Sequence, residues 1–178
     1  LGMRTLFNIL GPLTNPAFVE RQVLGVFTAG LCQSLAEALS KLGSKHALVL
    51  HSADGLDEIS IAAPTSVWEM RDGVVERFQI VPEDYGHGHS SLKGLGVASA
   101  EESADLIKRA LTGRSDAISA SARSMIALNA GAGIYVSGVV GSLKEGISAA
   151  DDVMASGAPI DKLEAFVDFT RRAKAEQV

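Results

Sequence analysis

Cysteine is almost absent from this sequence of 178 residues, which contains Cys32 alone. A lone cysteine excludes an internal disulfide and a cysteine-rich zinc site. Because disulfides accumulate in oxidising compartments, a chain without them is typical of a reducing compartment. We therefore expect a cytoplasmic protein.

Long apolar runs and an excess of positive charge are missing as well. The longest apolar stretches, His46 to Leu50 and Met125 to Leu128, are far shorter than the roughly 20 residues that a membrane helix requires. The formal net charge is -5 and the isoelectric point is near 5.3, so the chain has no overall attraction to a nucleic-acid polyanion. We expect neither a membrane nor a nucleic acid as partner.

Apolar residues are abundant, at 47% of the sequence with 21% charged, which is typical of a globular domain rather than a disordered tail. No linker, repeat or low-complexity tract divides the chain, so we predict one domain, residues 1–178. The sequence starts at Leu1 in a dense segment rather than at a methionine. We expect it to be a fragment of a longer protein.

Short apolar runs alternate with longer periodic stretches in the first part of the chain, as expected of alternating strands and helices. The pattern predicts a strand at Gln22 to Thr28, a helix at Gly30 to Leu42 and a second strand at Lys45 to His51. Together they form a βαβ unit, which favours parallel pairing of the two strands.

Two further runs, Ser66 to Arg71 and Val74 to Ile80, flank the dipeptide Asp72-Gly73, which favours the positive φ angles of a tight turn. This arrangement predicts an antiparallel hairpin. Residues 82–96 contain proline, glycine and histidine, and we predict a surface loop there.

The remainder of the chain is predicted to be helical. Ser99 with Glu102 and Ser142 with Glu145 have the spacing of capping boxes, which mark helix starts. Pro159 suits the first turn of a last helix, where its missing N–H costs nothing. The predicted apolar stripe of that helix comprises Leu163, Phe166, Val167 and Thr170.

Residues 116–136 are rich in alanine, serine and glycine and carry almost no charge after Arg123. Small residues let a helix approach its neighbours closely, so we predict a buried helix. The Gly131-Ala132-Gly133 cluster lacks the preceding strand and the following lysine of a phosphate loop. Close helix packing explains the cluster better.

Three carboxylates, Asp54, Asp57 and Glu58, follow the second predicted strand. Ligands bind at the carboxyl ends of strands in open α/β sheets, and adjacent carboxylates suit Mg²⁺, a hard cation with oxygen ligands. The alternative is a solvated acidic turn, and the spacing alone favours that alternative.

Arg4 stands among apolar neighbours in the opening segment, LGMRTLFNILGPLTNP. A planar guanidinium can bind a carboxylate or a phosphate through two hydrogen bonds. Equally, such an arginine can extend its head to solvent or form a structural ion pair, and the residue taken alone favours this interpretation.

Two histidines, His87 and His89, have a two-residue spacing that could serve a transition metal. A zinc site needs at least three protein ligands, and no third ligand lies nearby in the sequence. We favour an exposed flexible loop without a metal.

Three segments, LGMRTLFNILGPLTNP, HSADGLDEIS and LNAGAGIYVSG, resemble in order and spacing the anthranilate phosphoribosyltransferase family. The resemblance runs from residue 1 nearly to the end, and the first two segments are the more specific. It implies a truncated α/β catalytic domain like those of phosphoribosyltransferases and nucleoside phosphorylases: a central mixed, largely parallel sheet wrapped by helices, with a β-hairpin. It also implies transfer of the phosphoribosyl group of phosphoribosyl pyrophosphate (PRPP) to anthranilate in tryptophan biosynthesis, with Mg²⁺ as cofactor.

Under this resemblance, Arg4 falls on the arginine that faces the anthranilate carboxylate, and Asp57 and Glu58 fall on the acidic pair that holds one Mg²⁺ ion. Asn15 and Pro16 fall near the anthranilate entry. No catalytic residue is assigned beyond the metal ligands. The chemistry agrees, because a cation held by carboxylates neutralises a departing pyrophosphate.

Two features depart from the family's pattern. Ser52 stands where the family has glycine after the strand-ending His51. The glycine-rich pyrophosphate loop and the helical N-terminal domain would precede Leu1. We therefore expect the isolated chain to be inactive and monomeric, and the full-length protein to be a homodimer.

Two other functions stay open from the sequence. A phosphoribosyltransferase-like protein that binds nucleic acid requires a basic surface, which the net charge of -5 disfavours. A pyrimidine nucleoside phosphorylase shares the broader architecture, but its substrate has no carboxylate to match Arg4.

Overall fold

The fold is described for residues 11–175 in a computed structural model. In this part of the chain, a four-stranded sheet has the order β1-β2-β3-β4, so that strands adjacent in sequence are adjacent in space. The strands are β1 (Arg21–Gly25), β2 (His46–Ser52), β3 (Thr65–Arg71) and β4 (Val74–Ile80).

The predicted βαβ unit is confirmed. Strands β1 and β2 pair in parallel, and the chain between them forms a 3₁₀ turn, Ala29–Leu31, followed by helix α1, Cys32–Lys41. Leu35 and Leu39 lie on the buried side of α1 and share a core cluster with Val49 of β2. The leucine spacing that predicted the helix is therefore the spacing that attaches it to the sheet.

The predicted hairpin is also confirmed. Arg71 of β3 opposes Val74 of β4, which leaves Asp72 and Gly73 as a two-residue turn. Their φ angles are 50° and 86°, in the left-handed region that this turn requires and that aspartate and glycine tolerate.

The sheet is mixed, as predicted, but its parallel share among the described strands is smaller than predicted. Only β1 and β2 pair in parallel, whereas β2 with β3 and β3 with β4 are antiparallel. A parallel neighbour requires a crossover, usually a helix. Residues 53–64, which connect β2 to β3, contain no helix, so the chain returns antiparallel.

Both capping boxes begin helices as predicted. The Glu102 N–H donates to Ser99 Oγ at 3.1 Å, and the Glu145 N–H donates to Ser142 Oγ at 3.2 Å. Each glutamate carboxylate also accepts, at 2.8 Å, the N–H of the residue before the serine. No helix within residues 11–175 is long and apolar enough to cross a membrane. The helices after the sheet are α2 (Ala100–Leu111), α3 (Ala117–Ser137), α4 (Leu143–Ala155) and α5 (Ala158–Ala175).

Helix α3 is the buried helix predicted from the small residues. The larger core lies between the sheet, α3 and α4, and the smaller one lies between the sheet and α1. A Cβ atom on Gly131 would lie 2.5 Å from the Cα of Ile147, and one on Gly146 would lie 2.3 Å from the Gly131 carbonyl oxygen. Both helices therefore need glycine where they cross, which confirms packing as the role of Gly131.

Helix α5 contributes less to the core than its predicted stripe implied. Pro159 lies in its first turn, as expected, and Leu163 packs against the cluster that contains Met154. Phe166 is nevertheless 63% exposed. The α5 residues that pack against a buried core cluster, Ile160 and Leu163, lie in the first half of the helix.

Candidate metal and substrate site

The acidic segment, residues 52–58, lies at the carboxyl end of the parallel strands β1 and β2, where ligands bind in open sheets. Strand β2 ends at Ser52, and the connection that follows lies directly against the end of β1. A Cβ atom on Gly25, the last residue of β1, would lie 1.5 Å from the Asp57 carbonyl oxygen. The Asp57 backbone can therefore occupy this place only because residue 25 is glycine.

Asp54 is a structural member of the segment. Its carboxylate accepts a 2.6 Å hydrogen bond from the Ser60 hydroxyl and a longer one, 3.4 Å, from the Leu56 N–H. Burial opposes its ionisation, but bonding from Ser60, Ser52 and the backbone outweighs burial, so the pKa of Asp54 lies below its usual value. This carboxylate holds the turn closed through these hydrogen bonds.

Ser52 fits where the family pattern has glycine. Its N–H donates to the Leu56 carbonyl at 2.9 Å, and its own carbonyl accepts from the Gly55 N–H at 3.0 Å. The side chain is fully buried, and its hydroxyl makes no well-formed hydrogen bond within residues 11–175, although it lies close enough to Asp54 to favour that anion. The close contact in this region lies instead at Gly25.

Asp57 and Glu58 are exposed, as Asp54 is, but they differ from Asp54 in their lack of side-chain partners. Both residues are exposed, and neither carboxylate forms an ion pair or a side-chain hydrogen bond with a residue of the described range 11–175. In water the repulsion between two exposed adjacent carboxylates is small, on the order of 1 kcal/mol, so both can stay without a partner until a cation binds. The pair has the free oxygen atoms that a hard cation needs.

The donor set fits Mg²⁺ better than a transition metal. The described residues contain no cluster of three or more histidine, cysteine, aspartate or glutamate side chains able to hold a metal. Mg²⁺ is commonly held by one or two carboxylates, with waters and substrate phosphates as the other ligands. Asp57 and Glu58 can supply those carboxylates.

A cavity of about 610 Å³ opens beside this acidic pair. Its wall is mostly apolar and comes from α2, α3 and the segment between β4 and α2. A small organic ligand fits such a volume. The residues that line it with Leu56, Asp57 and Glu58 are Leu92, Leu95, Gly96, Val97, Ser103, Leu106, Ile107, Ala122, Met125 and Ile126.

The two histidines of the loop after β4, His87 and His89, contact the rest of the fold, which was not predicted. His87 is buried, with Nε2 3.0 Å from the Asp151 carboxylate on α4. His89 Nε2 lies 3.0 Å from the Ser124 hydroxyl on α3, and its Nδ1 lies 3.2 Å from that of Ser121. The prediction of an exposed flexible loop was therefore wrong for these side chains, because each contacts a different helix.

The residues assigned near the anthranilate entry lie apart from the acidic pair. Asn15 and Pro16 line a separate pocket of about 580 Å³ with Gln22 at the start of β1 and Leu42 after the end of α1. Asn15 also accepts the Ala17 N–H at 2.9 Å, so its side chain stabilises a local turn. Arg4, the predicted anthranilate ligand, lies outside the described residues.

Sequence reasoning overlooked two residues that contact this segment, Gly25 and Asn129. Glycine inside a predicted strand often marks a close backbone approach, and this signal was available at Gly25. Asn129 is a polar residue on the apolar helix α3, and its amide bonds to Ile59, next to Glu58. A polar residue in such a position needs partners, but the sequence does not say which.

The chain matches the family described as "Glycosyl transferase family, a/b domain" over residues 1–160. The anthranilate phosphoribosyltransferase of Teredinibacter turnerae is 52% identical over 170 residues, which cover 96% of this chain and 50% of that protein. That of Stutzerimonas stutzeri is 53% identical over 176 residues, which cover 99% of this chain and 51% of that protein. The chain spans about half the length of the curated relatives it matches.

Solved structures agree with the fold. The anthranilate phosphoribosyltransferase of Thermus thermophilus gives a TM-score of 0.83 at 40% identity, over 96% of this chain and 49% of that one. The enzyme from Saccharomyces cerevisiae in complex with PRPP and Mg gives 0.75 at 28% identity, over 94% and 47%. These matches confirm the predicted α/β class and the resemblance that the three sequence segments indicated. The chain therefore belongs to the glycosyl transferase family, a/b domain.

Proposed function

We propose that this chain supplies the metal-binding side of an anthranilate phosphoribosyltransferase, which transfers the phosphoribosyl group of PRPP to anthranilate. The observation that carries the proposal is the unpartnered pair Asp57 and Glu58 at the carboxyl end of the parallel strands. The relatives that are 52–53% identical bear this enzyme's name, and a yeast structure contains PRPP and Mg.

In this proposal the two carboxylates hold a Mg²⁺ ion. When bound, the cation supplies positive charge that stabilises the departing pyrophosphate as positive charge develops at the ribose C1. The rest of the segment keeps the carboxylates in place. Asp54 closes the turn through Ser60, and Gly25 admits the Asp57 backbone.

We assign recognition of the anthranilate carboxylate to Arg4, whose guanidinium can bind a benzoate through two parallel hydrogen bonds. A second structure of the yeast enzyme is in complex with 4-fluoroanthranilate. Asn15 and Pro16 are assigned to the entry region rather than to the metal, because they line a different pocket from Asp57 and Glu58.

We also propose a cytoplasmic location and a homodimeric full-length protein. The location is supported by the single cysteine, Cys32, which is buried and has no partner cysteine in the sequence. No described feature favours nucleic-acid binding over the transferase, since the net charge is -5.

The metal role is tested by steady-state kinetics of the full-length protein, with PRPP, anthranilate and varied Mg²⁺. Replacing both ligands, Asp57→Asn with Glu58→Gln, should lower kcat/KM by about a thousandfold, because two ligands and their charge are lost. The matched control is the exposed adjacent pair Glu83→Gln with Asp84→Asn, which should retain activity. Equal activity of the two double variants would overturn the proposal.

A further inference from the structure

Asn129 makes an unusual set of contacts for a residue inside a helix. Its side chain is partly buried, and its Oδ1 accepts the Ile59 N–H at 2.9 Å. Its Nδ2 donates to the Ile59 carbonyl at 2.9 Å and to the Met125 carbonyl at 3.0 Å. The orientation of the amide follows from these partners, since only an oxygen can accept from the Ile59 N–H and only an NH₂ can donate to its carbonyl.

These contacts fix the backbone immediately after the acidic pair. Ile59 follows Glu58, and its own side chain is fully buried in the larger core. The two hydrogen bonds from Asn129 engage the peptide groups on both sides of the Ile59 Cα. Before the pair, the Leu56 carbonyl accepts the Ser52 N–H at 2.9 Å, and between its two residues the Asp57 carbonyl lies against Gly25. The exposed carboxylates are thus carried by a backbone that is held at both ends.

We propose that Asn129 is a positioning residue for the Asp57–Glu58 pair, an inference that rests on the proposed role of this pair as cation ligands. Asn129 acts through the Ile59 backbone and does not itself coordinate the cation. Without it, the two Ile59 peptide groups lose their partners, and the backbone that carries the two carboxylates loses an anchor. Loss of a group that orients metal ligands typically costs about 10–100-fold in metal affinity.

The test is a titration of the full-length protein with Mn²⁺, a paramagnetic substitute for Mg²⁺, in the presence of PRPP. Asn129→Ala should weaken Mn²⁺ binding about tenfold. Ser124→Ala is the matched control, because it removes a hydrogen bond of the same helix to His89 rather than to Ile59, and it should bind Mn²⁺ as the wild type does. Amide hydrogen exchange at Ile59 should accelerate in Asn129→Ala and stay unchanged in Ser124→Ala.

The outcomes separate this inference from the proposed function. If Asp57→Asn with Glu58→Gln leaves Mn²⁺ binding unchanged, the metal role fails and the inference fails with it. If that double variant weakens binding but Asn129→Ala does not, the inference alone is overturned. Equal weakening by Ser124→Ala would also overturn it, because it would indicate general loosening of α3. If Asn129→Ala does not fold, the isosteric Asn129→Asp, which loses both donors, is held to the same criteria.

Discussion

The polar and charged side chains at the two ends of the parallel strands β1 and β2 differ in whether they have partners. At the amino end, His46 Nε2 lies 2.6 Å from Glu69 Oε1, and the Tyr135 hydroxyl donates to the same oxygen at 2.7 Å. Arg21 donates to the Val136 carbonyl at 2.9 Å, close to the end of α3. At the carboxyl end, Asp57 and Glu58 are exposed and have no such partner within residues 11–175.

This difference distinguishes residues that stabilise the fold from residues that are available to a ligand. Buried polar groups are stable only when they are hydrogen-bonded, and the polar side chains at the amino end are hydrogen-bonded to other groups of the protein. Carboxylates held on a fixed backbone without partners are instead available to a ligand. Changes at the amino end should therefore lower stability, and changes at the carboxyl end should lower ligand binding and activity.

Among single substitutions, the largest expected effect is that of Gly25→Ala at the carboxyl end. The new Cβ would collide with the Asp57 carbonyl and displace the acidic pair, so kcat/KM should fall about a hundredfold, with a higher Mg²⁺ requirement. The measurement is steady-state kinetics at several Mg²⁺ concentrations. Gly133→Ala is the matched control, since a Cβ there meets no atom within 4 Å, and its activity should equal that of the wild type.

The next effect is a loss of stability from Glu69→Ala at the amino end. Removing this carboxylate leaves the buried His46 and the Tyr135 hydroxyl without their acceptor, so the free energy of unfolding should fall by about 3 kcal/mol. Urea denaturation measures it. Glu76→Ala, the exposed neighbour opposite Glu69 on β4, should cost less than about 0.5 kcal/mol. Similar losses in both variants would contradict the distinction.

A smaller effect is expected for Tyr135→Phe, which keeps the ring and removes only the hydroxyl. Glu69 retains its contact with His46, so the free energy of unfolding should fall by about 1 kcal/mol, again measured in urea. Activity of the folded variant should not change. A large loss of activity would place the amino end in the reaction and remove the contrast between the two ends.

The smallest effect concerns pH and Asp54. Its pKa is lowered in the folded protein, so its ionised form stabilises the fold above the ordinary pKa of 3.8, and this contribution is lost as pH falls through the lower folded pKa. Asp54→Asn should therefore be less stable than the wild type at pH 7, with a difference that shrinks towards pH 3. Urea denaturation at both pH values checks it, and a constant difference would exclude the charge as the cause.

Local chemistry made several parts of the fold predictable. The leucine spacing of α1, the Asp72-Gly73 turn and the capping serines Ser99 and Ser142 act over a few residues, and each was confirmed. The excess of antiparallel pairing was not predicted, because it depends on how residues 53–64 return to the sheet.

The candidate site, like the fold, could be predicted only in part from the sequence. Asp54, Asp57 and Glu58 are alike in the sequence, and only the structure shows that Asp54 is bonded to Ser60 while the other two carboxylates have no partner among the described residues. The histidine loop was misjudged because the partners of His87 and His89 lie on helices distant in sequence. The role of Arg4 stays a prediction.

By itself, the sequence determined the family and the local elements, because caps, turns and apolar spacing are set by neighbouring residues and long motifs rarely arise by chance. Only the tertiary structure decided which carboxylates are free and what holds them. Gly25 and Asn129 reach the acidic pair from a strand and a helix that are distant along the chain. Such contacts depend on packing across the fold, which no local pattern contains.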